Sequence, residues 1–554
     1  MPHPNGLPLG FRDRLILILS VFLVGFHVYT SLFGLLEAVL QRGLHLAVVL
    51  CLLFLSKPCK RKGIGPFVDA ALIAMSVSAV LYTFLQYDEI VSRGGRFTTL
   101  EVVLGSLLIV ALAEGSRRVL GPSLTVIAAA AMAYNIFGSS ISLFGLGFRQ
   151  MSFSRIIYNQ VFTTEGIYSS PLGSVATFVV TFLLFAEILD ATGARAFLMD
   201  FALVTFGKKR GGAAKVAVVS SGLFGMVSGS SVANVVSTGV ITIPLMKKSG
   251  FPAKLAGAVE ACASTGGMLA PPIMGAAAFV MAEVLGVSYL EVLKAAIVPA
   301  LLYYAAIYLV IEFKTQDGKN SYTVDENDLG IRDFDKKQLF VKLLTVILPI
   351  GVMIYLMNRL SVQKAVMIAI LVMLIVAVLT GNSEGLKHPV KICQGTAKHV
   401  ISVAMATALG GVVVGVINFT GLGFKISNLL ITLSGGSLLM LCIMSMCASI
   451  VFGMGLPPTA CYILIALLVA PVMVDQGVLP MAAHLFAFYF GILSNITPPV
   501  AVASFAAAPI AESPPMAVGW QGFIIMLDLL LVPYGFVYYP ALLLGEGTTL
   551  AAFL

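Results

Sequence analysis

The sequence predicts an all-α polytopic membrane protein built on an inverted repeat with two re-entrant hairpins. Three observations predict it. Of 554 residues, 59% are hydrophobic and only 11% are charged, against about 25% charged in soluble domains. The formal net charge is +8, but the basic residues cluster in short loops between apolar runs. That is the positive-inside signature of a membrane protein, not a nucleic-acid patch. The third observation is a repeat. Thr192-Gly193 recurs as Thr420-Gly421, Gly207 as Gly435 and Gly225-Met226 as Gly453-Met454. Gly250 recurs as Gly477, Pro252 as Pro480 and Pro271-Pro272 as Pro498-Pro499, every pair offset by 227 or 228 positions. The side chains between these anchors differ. What repeats is backbone punctuation, the residues that decide where a helix stops or unwinds. Paired broken helices in corresponding halves of an apolar chain point to a transport site.

A helix needs about 20 apolar residues to cross a bilayer. Five spans are predicted first, at 13–36, 44–56, 67–86, 100–115 and 121–139, of which the second is short. Arg12 and Arg14, then Lys57, Lys60, Arg61 and Lys62, then Arg117 and Arg118 share one side if the N-terminus is cytoplasmic. A sixth span, 172–191, returns the chain to that side. Lys208, Lys209, Arg210 and Lys215 precede residues 216–246, and Lys247, Lys248 and Lys254 follow them. Both basic clusters favour the cytoplasm. The stretch between them is too short for two full crossings of about 20 residues each, and one crossing would separate the clusters. Its middle, Ser228 to Asn234, is polar. A re-entrant hairpin meets these demands, because non-helical backbone at membrane depth is tolerated where protein buries it or water reaches it.

The chain then crosses at 255–285, interrupted by Pro271-Pro272, and again at 292–312, 338–357, 364–380 and 398–417. The charged stretch 314–337 reads as a linker. An odd number of crossings separates the hairpins, so the second, 437–474, opens from the opposite side. The span 484–506 is broken at 494–499, and the last span, 521–543, leaves the C-terminus outside. Amphipathic stretches at 195–206 and 422–434 precede the hairpins and read as interfacial arms or as ordinary connectors. No apolar stretch followed by a small-residue cleavage site opens the chain, so no removable signal peptide is expected. The seven cysteines include no C-x-x-C pair and are expected to be free thiols.

Four polar breaks converge by symmetry, at 228–234, 265–275, 453–459 and 494–499. Half-helix N-termini there suit a carboxylate, and unwound carbonyls suit a cation. Ser228, Ser230, Ser231 and Asn234 offer oxygen ligands in the first repeat, and Thr459, Ser494, Asn495 and Thr497 in the second. Neutral oxygen cages suit a hard cation such as sodium. The bland alternative is that these side chains only satisfy freed backbone groups. Glu187, Asp190, Glu260 and Glu283 are ionisable residues within spans. Glu187 and Asp190 are expected to snorkel. Glu260 is expected near the cytoplasmic surface, with a possible coupling role. His484 is expected at the interface. No Arg or Lys falls at the site centre, so backbone dipoles and hydroxyls would hold an anion. The chain carries no G-x-S-x-G, H-E-x-x-H or P-loop signature. It is not expected to be an enzyme, needs no cofactor, and would draw on an ion gradient.

The segments GMVSGSSVANVVSTGVITIPLMKKSGF (225–251) and ASTGGMLAPPIMGAAAFVMAEVLG (263–286) resemble the large permease of TRAP (tripartite ATP-independent periplasmic) transporters. GMGLPPTACY (453–462) and SNITPPVAVASF (494–505) are similar to its second-half counterparts, and the likeness covers roughly 120–540. The N-terminal spans resemble a small four-helix permease fused to the large one, as in the TAXI-type subgroup. The resemblance implies a sodium-driven importer of small organic acids in the bacterial inner membrane, with an elevator motion. It also implies a separate extracytoplasmic solute-binding protein of TAXI type. One sodium site would comprise Ser228, Ser230, Ser231 and Asn234 with Gly266 and Gly267, and the other Gly455, Thr459, Asn495 and Thr497. Substrate would meet Ser230, Asn234, Thr265, Pro271, Pro272, Pro458, Thr459, Ser494 and Pro498. Such permeases vary at these tips, where this chain has the run Leu456-Pro457-Pro458. The implied organisation is 1–120 small-permease-like, 121–170 linking, 171–313 first repeat, 314–337 linker, 338–397 scaffold, 398–520 second repeat and 521–554 a last span. The rivals are a stand-alone cation-coupled carboxylate transporter and a membrane scaffold without transport.

Overall fold

The computed structural model describes residues 10–61, 63–140, 147–316 and 336–545. Most of the stretch read as a linker, 314–337, lies outside them. The described residues are helical, with no strand, and nine helices are long and apolar enough to cross a membrane. A tenth span arises if Pro515–Met526 and Asp528–Tyr538, bent by 49°, count as one. The chain is therefore an all-α polytopic membrane protein, as its composition requires.

Contacts divide the chain into two compact units. The first comprises Met1–Ile188, Leu360–Ile370 and Leu386–Ile426. Its helices include Phe11–Phe33, Ala38–Ser56, Gly65–Leu85 and Thr99–Leu120. The second of these starts six residues before the predicted span. Its extra turns carry Gln41 and Arg42, and His45 stands at the start of the predicted span; hydropathy counts all three against a span. Each finds a partner inside the protein, although His45 Nε2 is left without one. Gln41 donates to the Ala176 carbonyl at 2.9 Å, Arg42 to the Tyr168 carbonyl at 2.5 Å, and His45 Nδ1 meets His27 Nε2 at 2.8 Å. The fourth helix opens with a capping box, in which Thr98 and Glu101 each satisfy the other's backbone N–H. The 32-residue helix Pro389–Thr420 packs on Phe11–Phe33, Ala38–Ser56, Thr99–Leu120 and Pro122–Phe137. Near one end Glu187 pairs with His399 at 3.1 Å.

The second unit comprises Leu189–Arg359, Leu371–Gly385 and Ser427–Leu554, and it holds both hairpins. The first hairpin is Gly212–Ser228 followed by Ser231–Lys248. At 17 and 18 residues and 1.5 Å per residue, each helix is about 26 Å long, just short of the ~30 Å hydrocarbon core. The second hairpin is Leu438–Gly453 followed by Pro458–Leu468 and Ala470–Asp475. The predicted broken spans resolve as Ala253–Gly266 with Gly275–Leu285, and Pro480–Leu493 with Val502–Ala511. The repeats interlock. Ala253–Gly266 packs on Val502–Ala511, and Gly275–Leu285 packs on Pro458–Leu468. The amphipathic stretches form helices Ala194–Phe206 and Leu422–Ser434, each following a left-handed glycine, Gly193 or Gly421. Asp190 pairs with Arg195 at 2.8 Å, which closes the turn into the first. Lys247, at the end of the first hairpin, bonds Glu512 at 2.7 Å and holds that carboxyl below its usual range.

The last span, expected at 521–543, is bent between Met526 and Asp528. Pro533 lacks the N–H that would bond four residues back, and a 3-10 turn at Asp528–Leu530 precedes it.

Candidate functional site

The hairpin tips and the breaks are built by glycine and proline, and each side chain takes its place from them. At the first tip Ser228 ends one helix, Gly229 takes φ +63°, and Ser230 turns extended to cap the next. Ser230 Oγ accepts from the Ala233 N–H at 3.3 Å. Ser228 and Ser230 are half-buried, while Ser231 and Asn234 are buried. Asn234 Nδ2 donates to the Ser221 carbonyl at 2.7 Å, which ties the two hairpin helices together.

The first break runs from Gly266 to Gly275. Met268, Leu269 and Ala270 each donate a backbone bond three residues back, to Thr265, Gly266 and Gly267. A cis Pro271-Pro272 bond follows, then Met274 at φ +56°. Tyr289 Oη donates to both the Pro272 and Ile273 carbonyls, at 2.7 and 2.9 Å. The second break repeats the backbone. Pro498-Pro499 is cis, and Ala501, offset from Met274 by the same spacing, has φ +27°. The non-glycine positive φ at Met274 and Ala501 was not legible in the sequence. Only the spacing of the repeat connects them.

Tip and break meet through glycine. A Cβ on Gly229 would lie 2.8 Å from Gly275 Cα, and one on Gly225 would lie 2.9 Å from Gly267 Cα and 2.8 Å from Asn234 Nδ2. In the second repeat a Cβ on Gly453 would lie 2.7 Å from the Gly491 carbonyl oxygen and 2.9 Å from Ser494 Cβ. Ser494 is the counterpart of Gly267, so the same approach is made in both halves. The structure thus brings Ser228, Ser230, Ser231, Asn234, Gly266 and Gly267 to one such junction, with Thr265, Pro271 and Pro272. Gly455, Pro458 and Thr459 lie at the second tip, and Ser494, Asn495, Thr497 and Pro498 lie at the second break.

Their side-chain hydrogens are used locally. Thr265 donates to the Ala261 carbonyl at 2.8 Å, Ser494 to Gly491 at 2.6 Å and Thr497 to Leu493 at 2.8 Å. Asn495 Nδ2 donates to Ile492 at 3.1 Å. Such back-bonding leaves hydroxyl lone pairs and Asn495 Oδ1 as acceptors, the kind of oxygen a hard cation takes. Four half-helices begin at these junctions, at Ser231, Gly275, Pro458 and Val502. Their first-turn N–H groups suit an anion. An apolar groove of about 530 Å³ lies nearby, between Gly212–Ser228 and Tyr289–Gln316. Val218, Leu223, Ile297 and Ala300 line it, so it offers a carboxylate little.

His484, expected at the interface, is buried within the protein, and its Nδ1 meets Tyr462 Oη at 2.8 Å. Glu260 is wholly buried within protein, where four hydroxyls surround it. That cluster was detectable: Asn234, Thr238 and Thr242 follow each other at i, i+4, as do Glu260 and Ser264.

Comparison with known proteins agrees with this architecture. Residues 107–546 match the family described as the DctM component of the tripartite ATP-independent periplasmic transporter. A TRAP transporter large permease protein of Haemophilus influenzae is 25% identical over 377 residues, covering 66% of this chain and 84% of that protein. The C4-dicarboxylate TRAP transporter large permease protein DctM of Pseudomonas aeruginosa is 25% identical over 362 residues, 64% of this chain and 82% of its own. The 2,3-diketo-L-gulonate TRAP transporter large permease protein YiaN of Escherichia coli is 29% identical over 129 residues, 23% of this chain and 30% of its own. With the match covering most of the chain, including both hairpins and both breaks, this protein belongs to the TRAP transporter large permease family and is a transport protein, not an enzyme.

Proposed function

We propose that this permease couples sodium entry to the import of a small organic acid, which an extracytoplasmic binding protein of TAXI type delivers. The observation that carries the proposal is the pair of tip–break junctions, alike in backbone and offset by the same spacing. Each junction joins helix N-termini to neutral oxygens, and so offers an anion and a cation adjoining places. Two of the three relatives are named for C4-dicarboxylates or 2,3-diketo-L-gulonate, which are organic acids. The family match begins at residue 107. Phe11–Phe33, Ala38–Ser56 and Gly65–Leu85 precede it and Thr99–Leu120 straddles its start, which supports reading 1–120 as a small four-helix permease part fused to the large one. Each hairpin with its broken span, 216–285 and 437–506, is proposed to travel as one body against a fixed scaffold. Separating tip from break would bare backbone groups at several kcal/mol each in lipid.

In proteoliposomes with the cognate binding protein, uptake is expected to require an inward sodium gradient. Asn234→Ala and Thr497→Ala should each raise the half-saturating sodium concentration about tenfold, the worth of one neutral ligand at ~1.4 kcal/mol. Equal uptake on a proton gradient without sodium would refute the coupling. Sidedness has its own test. In a bacterial inner membrane with the N-terminus cytoplasmic and the C-terminus outside, single cysteines at 208 and 250 should label only from the cytoplasm. Those at 425 and 477 should label only from outside. Opposite-side labelling within either pair would end the re-entrant reading.

A further inference from the structure

Glu260 is a buried carboxyl with a shell of hydroxyls and no base. It sits on Ala253–Gly266 with no exposed surface. Thr238 Oγ1, Ser221 Oγ and Ser264 Oγ donate to its Oε1 at 2.6, 2.7 and 3.1 Å, and Thr242 Oγ1 donates to Oε2 at 2.6 Å. No Lys, Arg or His among the described residues pairs with it. Lys215 lies at the far end of Gly212–Ser228, paired with Glu312. Lys247 and Lys248 occupy the last turn of Ser231–Lys248, and Lys254 the first turn of its own helix. The helix Tyr289–Gln316 brings Tyr303 and Tyr304, whose hydroxyls donate to the Cys262 and Ala263 carbonyls. Val502–Ala511 and Pro515–Met526, which also pack on this helix, carry no charged side chain.

A carboxylate serving only to fasten helices would be matched to a cation or replaced by apolar packing, because an intramembrane charge is expensive. The shell here can serve two charge states. Hydroxyls both donate and accept. With Glu260 ionised, all four donate to it. With Glu260 protonated, its O–H needs one acceptor, and a neighbour must redirect its own hydrogen. Acceptors for that hydrogen are in place. Thr238 Oγ1 lies 2.9 Å from the Asn234 carbonyl, and Thr242 Oγ1 lies 3.2 Å from the Thr238 carbonyl. The exchange is made by hydroxyl rotation, with no helix displaced. The same Thr238 hydroxyl lies 3.3 Å from Asn234 Oδ1, the amide oxygen at the first tip. With Glu260 protonated, its O–H can donate to Thr238 Oγ1 while Thr238 Oγ1 donates to Asn234 Oδ1, a two-bond relay from carboxyl to tip; with Glu260 ionised, the single Thr238 hydrogen goes to the carboxylate and leaves Asn234 Oδ1 for a cation. The second repeat has Ala487 and Phe488 at the equivalent positions, so only the first carries it.

We propose that Glu260 is a reversible proton-binding site linked through Thr238 and Asn234 to cation occupancy at the first hairpin tip. A cation at Asn234 favours the ionised carboxylate and releases one proton to water. Protonation in turn withdraws the negative charge and weakens the cation. The linkage rests on the cation site proposed above, whereas the proton site does not. The test is infrared difference spectroscopy on the full-length permease in liposomes, with sodium chloride added against choline chloride. Sodium should remove the carbonyl band of a buried protonated carboxylic acid, and Glu260→Gln should lack that band. Thr238→Val should keep the band but lose most of its response to sodium. In uptake assays, half-saturating sodium should rise about fivefold from mildly alkaline to mildly acidic pH, within the usual range of site–site coupling. Glu260→Gln should flatten that dependence. If Glu260→Gln does not yield a monodisperse protein, Thr238→Val carries the comparison. A sodium-responsive band that persists in Glu260→Gln would overturn the proposal, as would sodium-dependent uptake with no carboxyl change. Sodium-independent uptake would overturn the linkage, and a pH-titrating band missing from Glu260→Gln would then still establish the proton site.

Discussion

Gly267→Ala is expected to cut substrate uptake by ten- to a hundredfold while the protein still inserts and purifies. The backbone at Gly267 has φ −58° and ψ −30°, which alanine adopts freely. The obstacle is steric. An added Cβ would run into the Cα and carbonyl carbon of Gly225, at the point where the first hairpin meets the first break. Backbone atoms cannot rotate away as a side chain end can. Overpacking of this kind costs about 1–3 kcal/mol, and each 1.4 kcal/mol is about a factor of ten. The displaced groups include Asn234 Nδ2, which lies 2.8 Å from a Cβ built on Gly225. The penalty therefore falls on the tip. Gly351→Ala is the control. It stands in the helix Lys336–Met357 with nothing within 4 Å of its Cβ, and alanine is favoured in helices by about 0.5–1 kcal/mol. Uptake there should be unchanged. Wild-type uptake by Gly267→Ala would show that tip and break need not touch for transport.

Glu312→Ala is expected to give the largest loss of stability, about 2–3 kcal/mol, read as a lowered thermal midpoint in detergent. Lys215 Nζ lies 2.5 Å from Glu312 Oε2 and 4.9 Å from the centre of the Tyr308 ring. The Lys215 side chain is 4% exposed and that of Glu312 is 32% exposed. Removing one member of a fully buried pair costs about 3–5 kcal/mol, because the other charge is left uncompensated. The partial exposure of Glu312 lowers the estimate. The double variant Lys215→Met with Glu312→Leu should recover most of the loss, since no stranded charge remains. A single variant as stable as wild type would mean that water already compensates Lys215.

Much of the fold was legible because its determinants are local. Hydropathy located the spans, and Gly-Pro punctuation located both hairpins and both breaks, since each of these residues acts on its own backbone. Where the reading failed, the cause was distant in sequence. The helix Ala38–Ser56 holds polar side chains whose partners are carbonyls and a histidine distant in sequence. His484 takes Tyr462, 22 residues away on another helix, as its partner.

By itself, the sequence determined an all-α membrane protein with a repeated pattern of interruptions, because helix continuity and bilayer insertion depend on nearby residues. Only the tertiary structure decided what those interruptions touch. It set Gly225 against Gly267 and Gly229 against Gly275, and it gathered Ser221, Thr238, Thr242 and Ser264 around Glu260. A buried carboxyl is defined by the groups that solvate it in place of water, and those groups come from three different helices.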